Sequence, residues 1–325
     1  MPGAGQRAVQ EGVGKRALIT GLAGFTGRYM AQELAAAGYR VFGTAMPSEV
    51  AGDRGGRPAA GIMGVSPADI VAVDLCDRAA VGAMIAQVQP DVVVHLAGIA
   101  FVAHANVELM YQVNVVGSRN LLEALAASGH RPGAVLLASS ANIYGNADVP
   151  VIDESVAPAP ANDYAVSKLA MEYMARLWKD RLPVILARPF NYTGVGQAEN
   201  FLLPKIVSHF RRGAREIELG NLAIARDFSD VRSVVRSYRQ LVAGSPASWP
   251  DPVFNVCSGR STSLQGVIAM MEEIAGYQIV VKVNPAFVRS NDVLSLTGSR
   301  ARLDHAIGAV AQVPLAETLR WMYSA

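Results

Sequence analysis

The sequence predicts an α/β fold, in which a doubly wound parallel sheet is followed by a smaller, mostly C-terminal lobe. Through the first 190 residues, short apolar runs alternate with helical patterns, and strands that alternate with helices form βαβ units. The runs are continuously apolar, which is typical of strands covered on both faces. With 325 residues, 51% of them hydrophobic, the chain can bury a large core.

The predicted elements follow one another in a regular order. Runs of β-branched and aliphatic residues predict strands over Ala17–Thr20, Val41–Thr44, Ile70–Val73, Val92–Leu96, Ala134–Ala138 and Val184–Ala187. Between them, apolar residues recur with helical spacing, which predicts helices over Phe25–Ala37, Arg78–Val88, Val107–Ala127 and Tyr164–Lys179.

The alternation ends after Phe190, where glycine and proline become frequent and the elements shorten. We therefore expect a mobile N-terminal extension over residues 1–15 and a first domain over 16–189. A helix near Val231–Val242 is expected to return to that domain, which adds about 226–244. The second lobe then comprises about 190–225 and 245–325.

Composition excludes several classes of function. The formal net charge of +2 is too small to indicate a nucleic-acid or membrane partner. The two cysteines cannot form a disulfide framework, and neither they nor the histidines show metal-ligand spacing, so a cytoplasmic location without a metal is expected. The longest apolar run, Val92–Val102, is shorter than the roughly 18 residues of a membrane span.

A glycine-rich turn lies between the first strand and the first helix. In "RALITGLAGFTG", Gly21, Gly24 and Gly27 are placed where backbone N–H groups at a helix N-terminus can approach a pyrophosphate. Because this turn opens a βα series, it predicts dinucleotide binding, and the first domain becomes a candidate NAD(P)-binding domain.

The end of the second strand bears on the choice of cofactor. An acid there binds the ribose hydroxyls of NAD, whereas arginine accommodates the 2′-phosphate of NADP. Thr44 and the two residues after it are neutral, and Arg54 and Arg57 follow, so NADP is favoured and NAD is retained as a possibility. Asp74 follows the third strand, where it could meet the adenine or cap the next helix.

Tyr164 and Lys168 carry the predicted chemistry. Residues four apart share a helix face, and a nearby ammonium lowers the pKa of a phenol, which otherwise titrates near 10. Ser140 follows a buried strand and could hydrogen-bond a substrate oxygen beside that phenol. Its neighbour Ser139 is the competing candidate, with a structural role favoured.

These motifs resemble the extended short-chain dehydrogenase/reductases, the family of nucleotide-sugar epimerases, dehydratases and reductases. The resemblance rests on the glycine turn, "SSANIYG", "YAVSK", "HLAG", "NVVGSRNLLEA" and "RPFNYTGVGQ". "LGNLAIARDFSDVR", "FNVCSG" and "VRSNDVLSLTGSRARL" are similar to the branch that acts on GDP-linked 6-deoxyhexoses. The likeness covers about residues 16–322 and implies a Rossmann-type domain, a nucleotide-sugar lobe and a homodimer formed by two helices from each subunit.

The resemblance also implies a role for individual residues. The catalytic group is Ser140, Tyr164 and Lys168. Cofactor contacts are expected, besides Tyr164 and Lys168, at Gly21, Gly24, Phe25, Thr26, Gly27, Thr44, Asp74, Leu75, Leu96, Ala97, Gly98 and Asn114. Contacts to a nucleotide sugar, GDP-linked in preference, are expected at Ser140, Asn142, Asn191, Lys205, Arg226, Arg289 and Asp292.

Asn142 determines which reaction the resemblance favours. In the dehydratases of this family, a glutamate at this place moves the protons as water leaves, and an amide cannot act as a general base. The sequence thus favours NAD(P)H-dependent reduction of the C4 ketone of a 4-keto-6-deoxyhexose, with GDP-4-keto-6-deoxy-D-mannose giving GDP-D-rhamnose. A 4-epimerase with tightly bound NAD and a GDP-mannose 4,6-dehydratase remain the alternatives.

Overall fold

The computed structural model describes residues 11–50, 61–100, 106–285 and 295–325. Its strands are Arg16–Thr20 (β1), Arg40–Ala45 (β2), Ile70–Ala72 (β3), Val92–His95 (β4), Ala134–Ala138 (β5), Val184–Pro189 (β6), Asn191–Thr193 (β7), Glu216–Leu219 (β8), Ala225–Asp230 (β9), Val253–Val256 (β10), Ser261–Ser263 (β11), Val280–Val283 (β12) and Ser295–Leu296 (β13).

The α-helices of these residues are Phe25–Ala36 (α1), Pro47–Val50 (α2), Arg78–Val88 (α3), Val107–Tyr111 (α4), Ser118–Ala127 (α5), Asp163–Arg176 (α6), Leu202–Arg211 (α7), Val231–Ala243 (α8), Leu264–Ala275 (α9), Ala301–Ile307 (α10) and Leu315–Ser324 (α11). The predicted helix over 107–127 is interrupted, because a π-helical turn, Gln112–Gly117, separates α4 from α5. None of the described helices is long and apolar enough to cross a membrane.

The predicted parallel sheet is confirmed. In the described part of the chain it has seven strands in the order β10-β6-β5-β4-β1-β2-β3, and the pairs from β6 to β3 run parallel. The order reverses between β1 and β4. In open α/β sheets, ligands bind outside the carboxyl ends of the strands at such a switch point, where the glycine turn also lies.

The chain divides into two compact units. The first comprises Met1–Ile143, Pro160–Arg188 and Val235–Phe254, and the second Tyr144–Ala159, Pro189–Val234 and Asn255–Ala325. Whether they are the cofactor and substrate domains expected from the sequence stays a prediction. Residues 11–15, assigned to a mobile extension, are instead attached to the first unit, since Gly12 N–H donates to Ala37 O at 3.0 Å and Arg239 pairs with Glu11.

Each unit has its own hydrophobic core. The first is built between the sheet and its helices by Leu18, Val93, Leu121, Val135, Met171 and neighbouring side chains. In the second unit, β7, β11 and β13 all pair with β9, while β8 pairs with β12. Its core includes Leu203, Phe210, Ile217, Val267, Met271 and Leu319.

Candidate active site

The glycine turn packs tightly against its own surroundings. Gly21 has φ +72°, and a Cβ there would lie 2.8 Å from Ala97 Cα. A Cβ on Gly27 would lie 2.3 Å from Gly21 O. Close backbone packing therefore requires glycine at these two positions. This is a second reason for glycine, besides the close approach of a ligand that the sequence predicts.

The N-terminus of α1 fits the pyrophosphate of a dinucleotide. Gly24 is its N-cap residue and provides no side-chain cap, and the first turn contains no acidic residue. The partial positive charge of a helix N-terminus attracts a phosphate, and no carboxylate of this turn opposes it. Phe25 and Thr26 lie in the same turn, as predicted for cofactor contacts, although their contact with a cofactor stays a prediction.

The end of β2 is less neutral than its sequence suggests. Thr44 is buried, and its Oγ1 accepts a hydrogen bond from Gly21 N–H at 3.3 Å, so it supports the glycine turn. Glu49 accepts from Met46 N–H at 2.7 Å, which places a carboxylate beside the strand end. The pattern Met46-Pro-Ser-Glu, in which an acid at the third helical position reaches back to the cap, could have revealed it. Arg54 and Arg57 lie outside the described residues.

The loop after β3 excludes one of the two roles considered for Asp74, while its contact with the adenine stays a prediction. Its Oδ1 accepts from Cys76 N–H at 2.9 Å, whereas Asp77 caps α3 by accepting from two N–H groups of its first turn. Asp74 is therefore not the N-cap. Leu75 is buried, and its carbonyl accepts from Asn120 Nδ2 at 2.9 Å.

Asn114 connects the loop after β4 to α6. It lies in the π-helical turn and is fully buried. Its Oδ1 accepts from Ile99 N–H at 2.9 Å, and its Nδ2 donates to Ser167 Oγ at 3.0 Å. A Cβ on Gly98 would lie 2.9 Å from Asn114 Oδ1 and 3.3 Å from Lys168 Nζ, so Gly98, Asn114 and Lys168 converge. π-Turns are frequent at functional sites.

His95 supports this convergence, and sequence reasoning missed it. Its ring nitrogens lie 2.7 Å from Thr20 Oγ1 and 2.7 Å from Ser118 Oγ. Ser118 in turn donates to Asn114 O at 2.7 Å, so the imidazole donates to Ser118 and accepts from Thr20. Burial, with a smaller effect from the charge of Lys168, lowers the pKa of His95 to about 3, and the ring is therefore neutral.

Tyr164 and Lys168 lie on the buried face of α6, which Asn162 caps by accepting from Ala165 N–H at 2.9 Å. The two side chains are 6% and 5% exposed. Lys168 Nζ donates to Ala138 O, at the end of β5, at 2.8 Å. Burial lowers the pKa of Lys168 to about 8, and the negative charge of Glu172 opposes this shift.

Glu172 extends the buried face by one more turn and forms a bidentate ion pair that sequence reasoning missed. It accepts from Arg188 Nε at 2.9 Å and from the Arg188 guanidinium NH2 group at 2.7 Å. Both side chains are less than 5% exposed, at 4% and 2%. The negative charge of Glu172, close to Lys168, is thus balanced by the positive charge of Arg188, which lies on β6.

Ser140 follows β5, and Asn142 lies in the short 3₁₀ turn Ala141–Tyr144. Ser140 is 5% exposed, and its Oγ accepts hydrogen bonds from Asn142 N–H at 3.1 Å and Nδ2 at 3.2 Å. Ser139 is buried as well, and its Oγ has no hydrogen-bond partner among the described residues. The structure therefore gives no structural hydrogen bond for the Ser139 hydroxyl.

Apart from Ser140 and Asn142, the residues expected to contact the nucleotide sugar belong to the second unit or lie outside the described residues. Asn191 Nδ2 lies 3.5 Å from the carbonyl of Asp227 on the neighbouring strand, and the strand of Arg226 pairs with that of Asn191. The ammonium of Lys205 donates to Glu218 O at 3.0 Å. Arg289 and Asp292 lie outside the described residues, so their roles stay predictions.

Asp227, which follows Arg226, is a fully buried carboxylate that sequence reasoning missed. It accepts from Ser258 N–H at 2.8 Å, Ser258 Oγ at 2.7 Å and Gly259 N–H at 2.9 Å. Burial raises its pKa, while these hydrogen bonds oppose the shift. Asp227 thereby fixes the turn after β10 against the strand that carries Arg226.

Two curated proteins are similar to this chain over most of their length. One is GDP-6-deoxy-D-talose 4-dehydrogenase of Aggregatibacter actinomycetemcomitans, 33% identical over 73% of this chain and 79% of that protein. The other is GDP-6-deoxy-D-mannose reductase of Pseudomonas aeruginosa, 34% identical over 72% of this chain and 80% of that protein.

Solved structures show the same fold. A Burkholderia cenocepacia J2315 protein, described provisionally as an epimerase, is 54% identical with a TM-score of 0.87 and coverage of 96% of this chain and 98% of its own. RMD from Pseudomonas aeruginosa, complexed with NADPH, is 29% identical with a TM-score of 0.78, and the match covers 95% of this chain and 98% of RMD.

The sequence pattern of a whole protein family agrees with these similarities to single proteins. The family described as GDP-mannose 4,6 dehydratase matches residues 18–322, nearly the whole chain. The resemblance read from the sequence is thereby confirmed. The chain belongs to the GDP-mannose 4,6-dehydratase family of the extended short-chain dehydrogenase/reductases.

Proposed function

We propose that this enzyme reduces the C4 ketone of a nucleotide-linked 4-keto-6-deoxyhexose, and that GDP-4-keto-6-deoxy-D-mannose is the substrate and GDP-D-rhamnose the product. The observation that carries the proposal is the buried Tyr164–Lys168 face in a chain whose position 142 is an amide. These groups support proton transfer during hydride transfer but lack the carboxylate that dehydration requires. The two relatives named for GDP-linked 6-deoxy sugars support it.

Each side chain has a distinct role in the proposed reaction. When bound, the nicotinamide cofactor supplies the hydride that C4 receives. Tyr164 gives its phenolic proton to the C4 oxygen, and the charge of Lys168 favours the phenolate that remains. Ser140 donates a hydrogen bond to the same oxygen, which stabilises the negative charge that develops there.

The proposal includes both NADPH and NADH. The start of α1 provides a site for the pyrophosphate of either cofactor. The neighbouring structure with NADPH supports NADPH, whereas Glu49 beside the end of β2 favours the free ribose hydroxyls of NADH. We expect Glu49→Gln to raise the NADPH/NADH ratio of kcat/KM; an unchanged ratio would exclude Glu49 from cofactor selection.

The second unit is proposed to hold the nucleotide diphosphate. Arg226 and Asn191 lie on paired strands, β9 and β7, and can offer a guanidinium and an amide to phosphate oxygens. Lys205 is proposed as an additional phosphate contact, which requires its ammonium to leave Glu218 O.

The test is a panel of GDP-, dTDP-, UDP- and CDP-linked 4-keto-6-deoxy sugars, each incubated with NADPH or NADH. We expect the GDP-linked ketone to be consumed fastest, with oxidation of the cofactor at 340 nm and a product that is two mass units heavier. NMR then gives the configuration at C4, which distinguishes a rhamnose product from the talose configuration. If GDP-mannose alone loses water, the enzyme is a dehydratase and the proposal fails.

A 4-epimerase is the second candidate, favoured by the 54% identity to the structure described provisionally as an epimerase. It would use the same three residues but must retain its cofactor through the cycle. Purified protein that carries stoichiometric NAD and interconverts C4 epimers without added cofactor would support this candidate. An empty cofactor site and consumption of added NADPH would support the reductase.

The enzyme is also proposed to form a homodimer through two helical segments from each subunit, residues 107–127 and α6. Exposed apolar side chains lie on or directly beside them, namely Val107, Leu109, Val116, Val166, Tyr173 and Leu177. A second copy would bury these side chains, since large exposed apolar patches mark interaction sites. Sedimentation of the wild type as a dimer and of Tyr173→Glu as a monomer would support this arrangement, whereas a monomeric wild type would contradict it.

A further inference from the structure

We infer that Asn142 is a positioning residue that makes the hydroxyl of Ser140 a hydrogen-bond donor toward the C4 oxygen, an inference that rests on the proposed function. Two N–H groups of Asn142, one from the backbone and one from the side chain, donate to Ser140 Oγ at 3.1 and 3.2 Å. Ser140 is buried, whereas Asn142 is exposed at the start of the loop. The buried hydroxyl of Ser140 therefore accepts two hydrogen bonds from the same exposed residue.

The hydrogen-bonding capacity of a hydroxyl gives these contacts a direction. A serine hydroxyl has one hydrogen to donate and two lone pairs to accept with. Two donors from Asn142 occupy both lone pairs, so Ser140 has only its own hydrogen left to offer. In the part of the chain that the structure describes, that hydrogen has no partner, and it remains for a ligand oxygen.

A donor suits ketone reduction for a physical reason. Negative charge develops on the C4 oxygen as hydride reaches C4, and a preorganised donor gains strength as that charge grows. Donation from Asn142 into Ser140 Oγ also polarises the O–H bond, because chains of hydrogen bonds reinforce one another. Asn142 stands where the dehydratases of this family have their glutamate base. The same asparagine thus also directs the Ser140 hydroxyl to donate a hydrogen bond toward the substrate.

An ionised acid at position 142 would reverse this polarity. A carboxylate only accepts hydrogen bonds, so it would draw the Ser140 hydrogen away from the substrate. Asn142→Asp tests this with a side chain of the same size. Asn142→Ala removes the side-chain donor and leaves the backbone N–H in place.

Steady-state reduction of GDP-4-keto-6-deoxy-D-mannose measures the effect. We expect kcat to fall about 3- to 10-fold in Asn142→Ala, as for loss of one neutral hydrogen bond. In Asn142→Asp we expect a fall of about 10- to 100-fold, approaching that for loss of an oxyanion donor. The Kd for NADPH should stay within about threefold in both variants, since Asn142 is not among the residues expected to contact the cofactor, whereas KM for the sugar reports any direct contact that Asn142 makes with the substrate. Asn146→Asp, an equal charge change at an exposed position of the same loop, is the matched control and should leave kcat unchanged.

A double-mutant cycle separates action through Ser140 from a general effect of charge. In a Ser140→Ala background, Asn142→Asp should lower kcat by less than about threefold further, because the hydroxyl that it reorients is absent. If the aspartate has its full effect in that background, or if both Asn142 variants keep wild-type kcat, the inference is wrong while the proposed reductase activity stands.

A structural measurement tests the inference even if the wild type reduces no ketone. Neutron diffraction from deuterated wild-type protein with its cofactor locates the hydrogens on the Ser140 hydroxyl and on the backbone and side-chain nitrogens of Asn142. We expect the backbone deuteron and one side-chain amide deuteron of Asn142 to point at Ser140 Oγ, and the Ser140 deuteron to point away from Asn142. A Ser140 deuteron directed at Asn142 Oδ1 would overturn the inference whatever the enzyme catalyses. Absence of turnover with every ketone would instead refute only the proposed function.

Discussion

Lys168→Met is expected to stabilise the ligand-free protein at pH 7 while it removes turnover. Lys168 is 5% exposed, and its ammonium donates a hydrogen bond to Ala138 O at 2.8 Å. Burial of a charge disfavours the charged form, and this effect outweighs the attraction of Glu172. The lysine that the proposed chemistry requires is therefore a source of instability in the fold.

The pKa of Lys168 gives the size of this effect. It lies at about 8 in the folded protein against 10.5 ordinarily. The difference corresponds to about 3 kcal/mol, since one unit is worth about 1.4 kcal/mol. Because the unfolded chain binds this proton more tightly, the charge opposes folding fully below pH 8, and the penalty disappears as the pH rises from 8 to 10.5. Methionine also leaves Ala138 O without its donor, which costs about 1 kcal/mol, so the net stabilisation at pH 7 is about 2 kcal/mol.

Urea unfolding of the ligand-free protein at pH 7 and pH 9.5 tests this reasoning. The Lys168→Met protein should unfold at higher urea than the wild type at pH 7, and the difference should shrink at pH 9.5. Lys179→Met, which removes an exposed lysine just beyond α6, is the control and should change stability by less than about 0.5 kcal/mol. A Lys168→Met protein that is less stable than the wild type at pH 7, or a difference that does not vary with pH, would refute the reasoning.

Three further predictions follow from the site. Tyr164→Phe should lower kcat by about 10²- to 10⁴-fold, and a loss below tenfold in stopped-flow reduction would exclude Tyr164 as the acid. Glu172→Gln should lower the free energy of unfolding by about 3–5 kcal/mol, because it removes the carboxylate that forms a bidentate ion pair with the buried Arg188, whereas Glu172→Met combined with Arg188→Met should recover most of this loss in urea titrations; equal losses in both would contradict this. GDP should raise Tm more than UDP or dTDP, since ligand at about 100 times its Kd adds roughly 2.7 kcal/mol, and equal shifts in thermal melts would contradict guanosine preference.

The sequence by itself determined the parallel sheet, the position of the glycine turn and the shared face of Tyr164 and Lys168. These features depend on local patterns, namely continuous apolar runs, the strand-to-helix placement of Gly21 and the spacing of four residues on a helix. The family was also readable from the sequence, since its motifs are spread over nearly the whole chain.

Only the tertiary structure decided which partners surround these residues. The carbonyl that holds Lys168 lies 30 positions away, and Ser118, which fixes the ring of His95, lies 23 positions away. Such contacts are made when strands and helices pack, and no periodicity in the sequence encodes them. Burial likewise depends on the whole fold, which is why the neutral His95 and the lowered pKa of Lys168 could not be predicted from composition or spacing.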